Sequence, residues 1–377
     1  MKKNVTGLLI LSIFAAVILL TGCQKKEVVV EKEAAVEKVE PLKVVLILNG
    51  VLGDKSFFDS ADNGMKLIKA KYGDKVDVKT IEMSYDETKW EPTLLDVSEE
   101  DWDIVIMGTW QMTEMLQEYA PDYSDKKYII FDTAVDYSIG GLDNVYSIVY
   151  KQNDASFVAG ALAARVTSSD MPLANSDKIV GFLGGMDIPV INDFLIGYIE
   201  GAQYIDPATK VAVSYIGSFD DSAKGKEMSL AQYSLGADIG YNVAGQAGLG
   251  QLDAAKDAGR YAIGVDSDQA EIFKTSDPAK AKLITTSVLK RVDNSLLRAI
   301  DLHLQGKAPW GEVEVLGFQE EAVGFAENDI YKEIISAEIR EEMKMIENKI
   351  ISGEIVVSSA FGMSSDDFST LRNNAKP

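Results

Sequence analysis

Leu42-Lys43-Val44-Val45-Leu46-Ile47-Leu48-Asn49-Gly50 is the stretch from which the rest of the chain is read. Seven residues, apolar but for one lysine and closed by an Asn-Gly pair, make a strand buried on both faces, and such strands belong to parallel sheets. A helical stretch from about Ser56 to Lys71 follows, then strand Val76–Ile81, helix Thr88–Val97, strand Asp103–Met107, helix Gln111–Tyr119 and strands Tyr128–Phe131 and Val145–Val149. That alternation implies right-handed βαβ crossovers. After an Ala-rich helix near Ala155–Val166 the series restarts. Strands Ile179–Leu183, Val211–Ile216, Ile239–Val243 and Ala262–Val265 alternate with helices Ile191–Tyr204, Ala223–Ser234 and Leu249–Ala258. The expectation is an α/β protein of two lobes.

Past Lys282, strand Leu283–Thr286 and an amphipathic helix with Leu289, Val292, Leu296 and Ile300 on one face are too little for a third domain. They are expected to return and complete the first sheet. The first lobe then takes residues 42–150 with about 283–305, and the second takes 151–282 with about 306–335. Residues 336–377 form a C-terminal helix and tail against the lobes, with Ile335, Ile339, Met343, Ile346 and Ile350 as the packing stripe.

Lys2 and Lys3 precede an apolar run from Gly7 to Leu20, the charged and hydrophobic regions of a secretory signal, too short for a comfortable membrane span. Leu20-Thr21-Gly22-Cys23 follows and resembles a bacterial lipobox. The resemblance implies that residues 1–22 are a lipoprotein signal peptide and that Cys23 is acylated on its thiol and new amino terminus. Each buried methylene of such an anchor contributes about 0.8 kcal/mol. The plainer reading is an ordinary signal peptide with an incidental cysteine. Residues 23–41, charged and repetitive, read as a tether.

The chain of 377 residues has 37 Lys plus Arg, 59 Asp plus Glu, one His and one Cys. One thiol and one imidazole build neither a structural zinc cluster nor a disulfide framework. His303 sits in an apolar helical context with no nucleophile motif beside it, so a Ser-His-Asp or Cys-His enzyme is not indicated. Cleavage after Gly22 would remove Lys2 and Lys3 and no acid, leaving 35 bases against 59 acids, a net −24. That charge repels phosphate backbones and speaks against nucleic acid as a partner.

Ligands of open parallel sheets bind beyond the carboxyl ends of the strands. Those positions hold Asn49-Gly50, Gly108-Thr109-Trp110, Asp132, Gly184-Gly185-Met186-Asp187, Gly217-Ser218-Phe219, Gly245 and Asp266, with Lys290 just after the returning strand. Phe57 opens the first helix and Phe219 ends a strand of the second series, so two rings would reach one cleft from opposite lobes. Rings with a gap between them suit a flat π system, and a stacked base contributes about 1–3 kcal/mol. Asp132 can accept from ring N–H or amino groups, while Asp266 and Lys290 can hold vicinal hydroxyls. Phe194 is balanced between core and pocket, Phe58 reads as core, and Asp54 and Ser56 read as helix caps. Together these describe a site for a purine nucleoside, and the acidic balance disfavours the nucleotide.

The segments GDKSFFDSA, GFLGGMDIPVINDF, YIGSFDDSAKGKEM, ADIGYNVAGQAGLG, AIGVDSDQ and TTSVLKRVDNSL resemble successive blocks of the basic membrane protein family, the purine nucleoside receptor lipoproteins of ABC importers. The resemblance runs from about Leu42 to Val356. It implies a type I periplasmic-binding-protein fold, two Rossmann-like lobes with parallel sheets joined by a three-stranded hinge. It also implies base stacking between Phe57 and Phe219, base-edge contacts at Asp132, pentose contacts at Asp266 and Lys290, and backbone at Gly245 facing the ligand. The ligand-binding set is Asn49, Phe57, Asp132, Phe194, Phe219, Gly245, Asp266 and Lys290. The family usually carries an acid where Asn49 stands and Ser-Phe-Asn where Ser56-Phe57-Phe58 stands, which leaves base preference open.

The implied protein is a monomer on the outer side of a bacterial membrane, without metal or cofactor, that passes its ligand to an ABC permease. Two other readings stand beside it. A sugar or signalling-ligand receptor of the same fold would also use aromatic faces and Asp pairs. A nucleoside-cleaving enzyme would need more than the Asp266-Ser267-Asp268 pair for a metal, and the Ser-x-x-Lys match at Ser287–Lys290 lacks its companion motifs.

Overall fold

A computed structural model describes residues 40–377. Signal peptide, Cys23 and most of the tether lie outside the described residues. The first lobe begins with β1 (Leu42–Leu48), α1 (Phe57–Tyr72), β2 (Val76–Glu82), α2 (Trp90–Glu99), β3 (Ile104–Gly108), α3 (Thr113–Tyr119), β4 (Lys127–Phe131) and β5 (Val145–Tyr150). The second holds α4 (Gln152–Thr167), β6 (Ile179–Gly184), α5 (Pro189–Ile205), β7 (Lys210–Tyr215), α6 (Ser222–Ser234), β8 (Ala237–Val243), α7 (Gly245–Ala258) and β9 (Tyr261–Asp266). Short helices α8 (Gln269–Phe273) and α9 (Pro278–Ala281) lead to β10 (Ile284–Lys290), α10 (Val292–Leu304), β11 (Glu312–Leu316) and β12 (Val323–Phe325). Helices α11 (Asp329–Ile334), α12 (Ala337–Ile351) and α13 (Ser365–Ala375) close the chain.

Two six-stranded sheets result, ordered β11-β5-β4-β3-β1-β2 and β12-β10-β9-β8-β6-β7. Every pairing in the first is parallel. In the second only β10 with β12 is antiparallel. Strand β1 shows why its sequence is apolar throughout. Val44, Leu46 and Leu48 pack into a cluster that runs through both lobes, while Val45 and Ile47 pack into a second cluster beneath α2 and α3. Alternate residues face opposite sides, and both sides are covered by helices.

The returning strand departs from the sequence reading. Residues 284–290 pair with β9 in the second sheet, Ser287 opposite Gly264 and Leu289 opposite Asp266, and do not complete the first. Apolar spacing that joins Leu289 to Val292, Leu296 and Ile300 concealed this, because Leu289 and Lys290 still belong to the strand and the helix starts only at Val292. The helix itself does reach the first lobe, where it packs on α1 and Lys71 Nζ donates to Asp301 at 2.6 Å. Residues 312–316, assigned to the second lobe by sequence, lie parallel to β5 in the first sheet. Arg298 of α10 grips Glu314 there.

Three segments therefore cross between lobes: Tyr150-Lys151-Gln152, Lys290-Arg291-Val292 and Leu316 to Val323. They are stitched to one another, Lys151 N–H to Leu316 O at 2.9 Å and Arg291 N–H to Ala322 O at 2.8 Å. In the second lobe α4 and α5 touch backbone to backbone. A Cβ on Gly160 would stand 2.0 Å from the Tyr198 carbonyl oxygen, so this contact requires glycine. Helix α12 packs on α4 through the bidentate Arg165–Glu342 pair, and α13 reaches α5 and β7.

Candidate functional site

Asn49, Thr109 and Asp132 end or follow β1, β3 and β4, and Gly245, Asp266 and Lys290 end or follow β8, β9 and β10, so the strand ends of both sheets meet at one place. Between them lies a cavity of about 270 Å³. It is near the lower edge of ligand pockets, roughly 300–1,000 Å³. All eight residues singled out by sequence, Asn49, Phe57, Asp132, Phe194, Phe219, Gly245, Asp266 and Lys290, line it. Thr109, Asp132 and Asp266 have φ values of 72°, 68° and 60°. Left-handed backbone at non-glycine residues costs energy and gathers at functional sites.

Lys290 is the centre of charge. Only 2% exposed, it donates to Asp132 Oδ1 at 2.5 Å. Its ammonium also stands 4.8 Å from the Phe194 ring centre and 5.6 Å from those of Phe57 and Tyr150. Aromatic faces and one carboxylate thus hold the cation in a dry place. The sequence reading had set Asp132 apart from Lys290; they are one ion pair, reached from opposite lobes. Burial raises the Asp132 carboxyl above its ordinary value, against the pull of Lys290. Burial likewise pushes Asp266 up to about 7, with Lys290 and a hydrogen bond from Ser56 Oγ opposing.

Ser56 was expected to cap α1, but its hydroxyl caps nothing and crosses to Asp266. Asp54 takes the capping role. Its carboxylate accepts the N–H groups of Ser56, Phe58 and Asp59 at 3.0, 2.8 and 3.1 Å, while burial raises its pKa to about 6. Ser267 Oγ also donates to Ser56 O and Gln269 Nε2 to Lys55 O, so the lobes are bonded across this side of the cleft.

Phe57 and Phe219 line the cavity from opposite lobes. Phe57 is braced edge-on by Phe58 and tilted on Phe131, with ring centres 5.3 and 5.4 Å away. The Phe219 ring lies on Gly185, where a Cβ would stand 2.4 Å from its carbons. Gly185 is therefore needed to seat the ring. Phe58 proves both core and wall: it is 7% exposed, lines the cavity and lies against Gly50.

Sequence reasoning missed Tyr85, Glu87 and Trp90 in the lining. The chain after β2 runs on beside β1, Met83 N–H to Leu48 O and Ser84 N–H to Gly50 O, and carries Tyr85 to the cleft. The strand-end rule applied to β2 would have found it. His303 lies remote from this lining, edge-on to Trp310.

Two α/β lobes, three crossovers and a cavity between opposed strand ends define a substrate-binding protein of the type I periplasmic class. Residues 42–360 match the family described as ABC transporter substrate-binding protein PnrA-like, and the chain belongs to that family. It is 31% identical over 321 residues to "Basic membrane protein A" of Borreliella burgdorferi, covering 84% of this chain and 88% of that one. The "CD4+ T-cell-stimulating antigen" of Listeria monocytogenes is 28% identical, over 95% of this chain and 99% of its own. Among solved structures, an ABC transporter system solute-binding protein from Aeropyrum pernix K1 superposes with a TM-score of 0.76 at 25% identity, covering 89% of this chain and 98% of that one. Family and fold are those of ABC transporter substrate-binding proteins.

Proposed function

We propose that the protein is a lipid-anchored receptor that closes its two lobes on a purine nucleoside and presents it to an ABC permease. The observation that carries this is the make-up of the cavity. Its lining holds the polar group Lys290, Asp132 and Asp266, suited to vicinal hydroxyls. It also holds the rings of Phe57 and Phe219 from separate lobes, suited to a flat heterocycle. The ion pair joins Asp132 to Lys290, so Asp132 serves the pentose with Lys290 and Asp266 and not the base edge. Five carboxyl groups in the lining, Asp54, Glu87, Asp132, Asp220 and Asp266, against the one ammonium of Lys290 favour a neutral nucleoside over its phosphates. Binding is a matter of closure, with the ligand stabilising the closed state by its differential affinity.

Calorimetry with nucleosides, free bases and ribose tests the reading. Nucleosides are expected to bind more tightly than either fragment. Sugar binding without nucleoside binding would instead mark a sugar receptor. Mass spectrometry of protein purified without added nucleoside should find a purine nucleoside, and release of free base on incubation would mark an enzyme.

A further inference from the structure

Asp266 lies on the boundary between two spaces. It lines the ligand cavity, and it alone among the residues of that lining also faces a second groove between the lobes, walled by Gly53 and Asn63 on one side and by Ser267, Ile272 and Leu289 on the other. The lobes meet around it. Ser56 Oγ donates to Asp266 Oδ2, Ser267 Oγ to Ser56 O at 3.1 Å and Gln269 Nε2 to Lys55 O at 3.2 Å. Opening the cleft parts all three bonds, so one carboxyl sits at the centre of a seam that closure makes.

As an anion this carboxyl is poorly provided for. At 6% exposure it accepts one hydrogen bond among the described residues, that of Ser56. Lys290 attracts it but is bonded to Asp132, and Asp54 and Asp132 add like charge. The groove brings no cation of its own to it. There Lys55 pairs with Asp59, Arg291 with Asp293 and Lys66 with Asp62, while Asp268 caps α8 and Glu271 is held by Lys274. An anion shut in here exchanges its water for one hydroxyl and a shared ammonium, whereas the protonated acid gives up far less. Burial accordingly prevails over Lys290 and Ser56 and pushes the carboxyl up to about 7. In an opened cleft it regains water, and its ordinary value with it.

We propose that Ser56 and Asp266 form a proton-controlled latch between the lobes: a proton on Asp266 favours the shut form of the empty protein, and its loss to solvent favours the open form. The sign follows from linkage. Closing raises the proton affinity of the carboxyl, so closure takes up a proton, and acid therefore drives closure. The groove on the far side of Asp266 gives solvent protons a way to the carboxyl that does not pass through the ligand cavity. The latch works on the ligand-free protein and is independent of which ligand the cleft holds.

The test is small-angle X-ray scattering of the mature protein, dialysed free of ligand, in a pH series from 5 to 8, beside Asp266→Asn and Ser56→Ala, each variant first checked by thermal melting. The unaltered protein is expected to be compact at pH 5 and to expand towards pH 8, its closed-to-open ratio falling roughly tenfold or more. Asp266→Asn, which imitates the protonated acid at every pH, should stay compact throughout. Ser56→Ala should be more open than the parent at pH 5. A parent whose scattering does not change over the series overturns the latch, and this holds even where a variant fails to fold. So does an Asp266→Asn variant that opens with pH as the parent does, or a Ser56→Ala variant as compact as the parent at pH 5.

Discussion

Replacing Asp266 by asparagine should stabilise the protein, and by an amount that depends on pH. The carboxyl is buried and its pKa is pushed up to about 7, while in the unfolded chain it returns to the ordinary value of 3.8. Between those values the native state holds a proton that the unfolded state has released, so stability falls as pH rises through the window. At 1.36 kcal/mol for each pKa unit the full difference is about 4 kcal/mol at pH 8, about 2 kcal/mol at pH 5, and nothing below about pH 4. Asparagine stands in for the protonated acid: it keeps an acceptor for Ser56 Oγ and tolerates the φ of 60°. Urea denaturation of ligand-free protein across pH 4–8 should therefore show the Asp266→Asn variant gaining on the parent as pH rises. Nucleoside affinity should fall in the same variant, the usual exchange of stability for function. Stability curves that stay parallel over this range, or a variant less stable than the parent at pH 8, would refute the account of Asp266.

Phe219→Ala should weaken nucleoside binding by about 1–3 kcal/mol in calorimetry. Its melting temperature should barely move, because the ring lines the cavity at the edge of the core. Ligand should change the intrinsic fluorescence, since Trp90 and the 49% exposed Trp110 both line the cavity; an unchanged spectrum at saturation would place the ligand elsewhere. Gly160→Ala puts a methyl 2.0 Å from the Tyr198 carbonyl oxygen and should cost about 1–3 kcal/mol or more by denaturation, binding being affected only through stability. Cys23→Ser, expressed in a bacterium that processes lipoproteins, should move the protein from the membrane fraction to the soluble fraction; retention on membranes would remove the acyl anchor from the proposal.

The alternation of strands and helices was legible because both faces of each central strand are buried, which makes strands such as Leu42–Leu48 read as unbroken apolar runs. Positions at the strand ends were legible for the same reason: once the strands are placed, the residues that follow them are placed too. What the sequence hid is which sheet a returning strand joins. Nothing in Ile284–Lys290 distinguishes pairing with β9 from pairing in the first sheet, and the apolar spacing through Leu289 favoured a longer helix. Contacts between lobes were hidden as well. That Ser56 reaches Asp266, 210 residues away, and that Lys290 pairs with Asp132 depends on how the lobes close, which no local pattern records.

Those hidden contacts bear on how closure is controlled. Ser56 to Asp266, Ser267 to Ser56 O, Gln269 to Lys55 O and Lys290 to Asp132 all join one lobe to the other. Three of these are hydrogen bonds, which contribute about 0.5–1.5 kcal/mol each when neutral, and Lys290 to Asp132 is a buried ion pair. Against them stands Asp266, whose burial disfavours its anionic form. The polar contacts across the cleft and the desolvation of that carboxyl thus act on closure with opposite sign. On the proposed function, pentose hydroxyls that donate to Asp266 and a base held between Phe57 and Phe219 tip the balance. A ligand lacking either the diol or the ring then closes the cleft poorly.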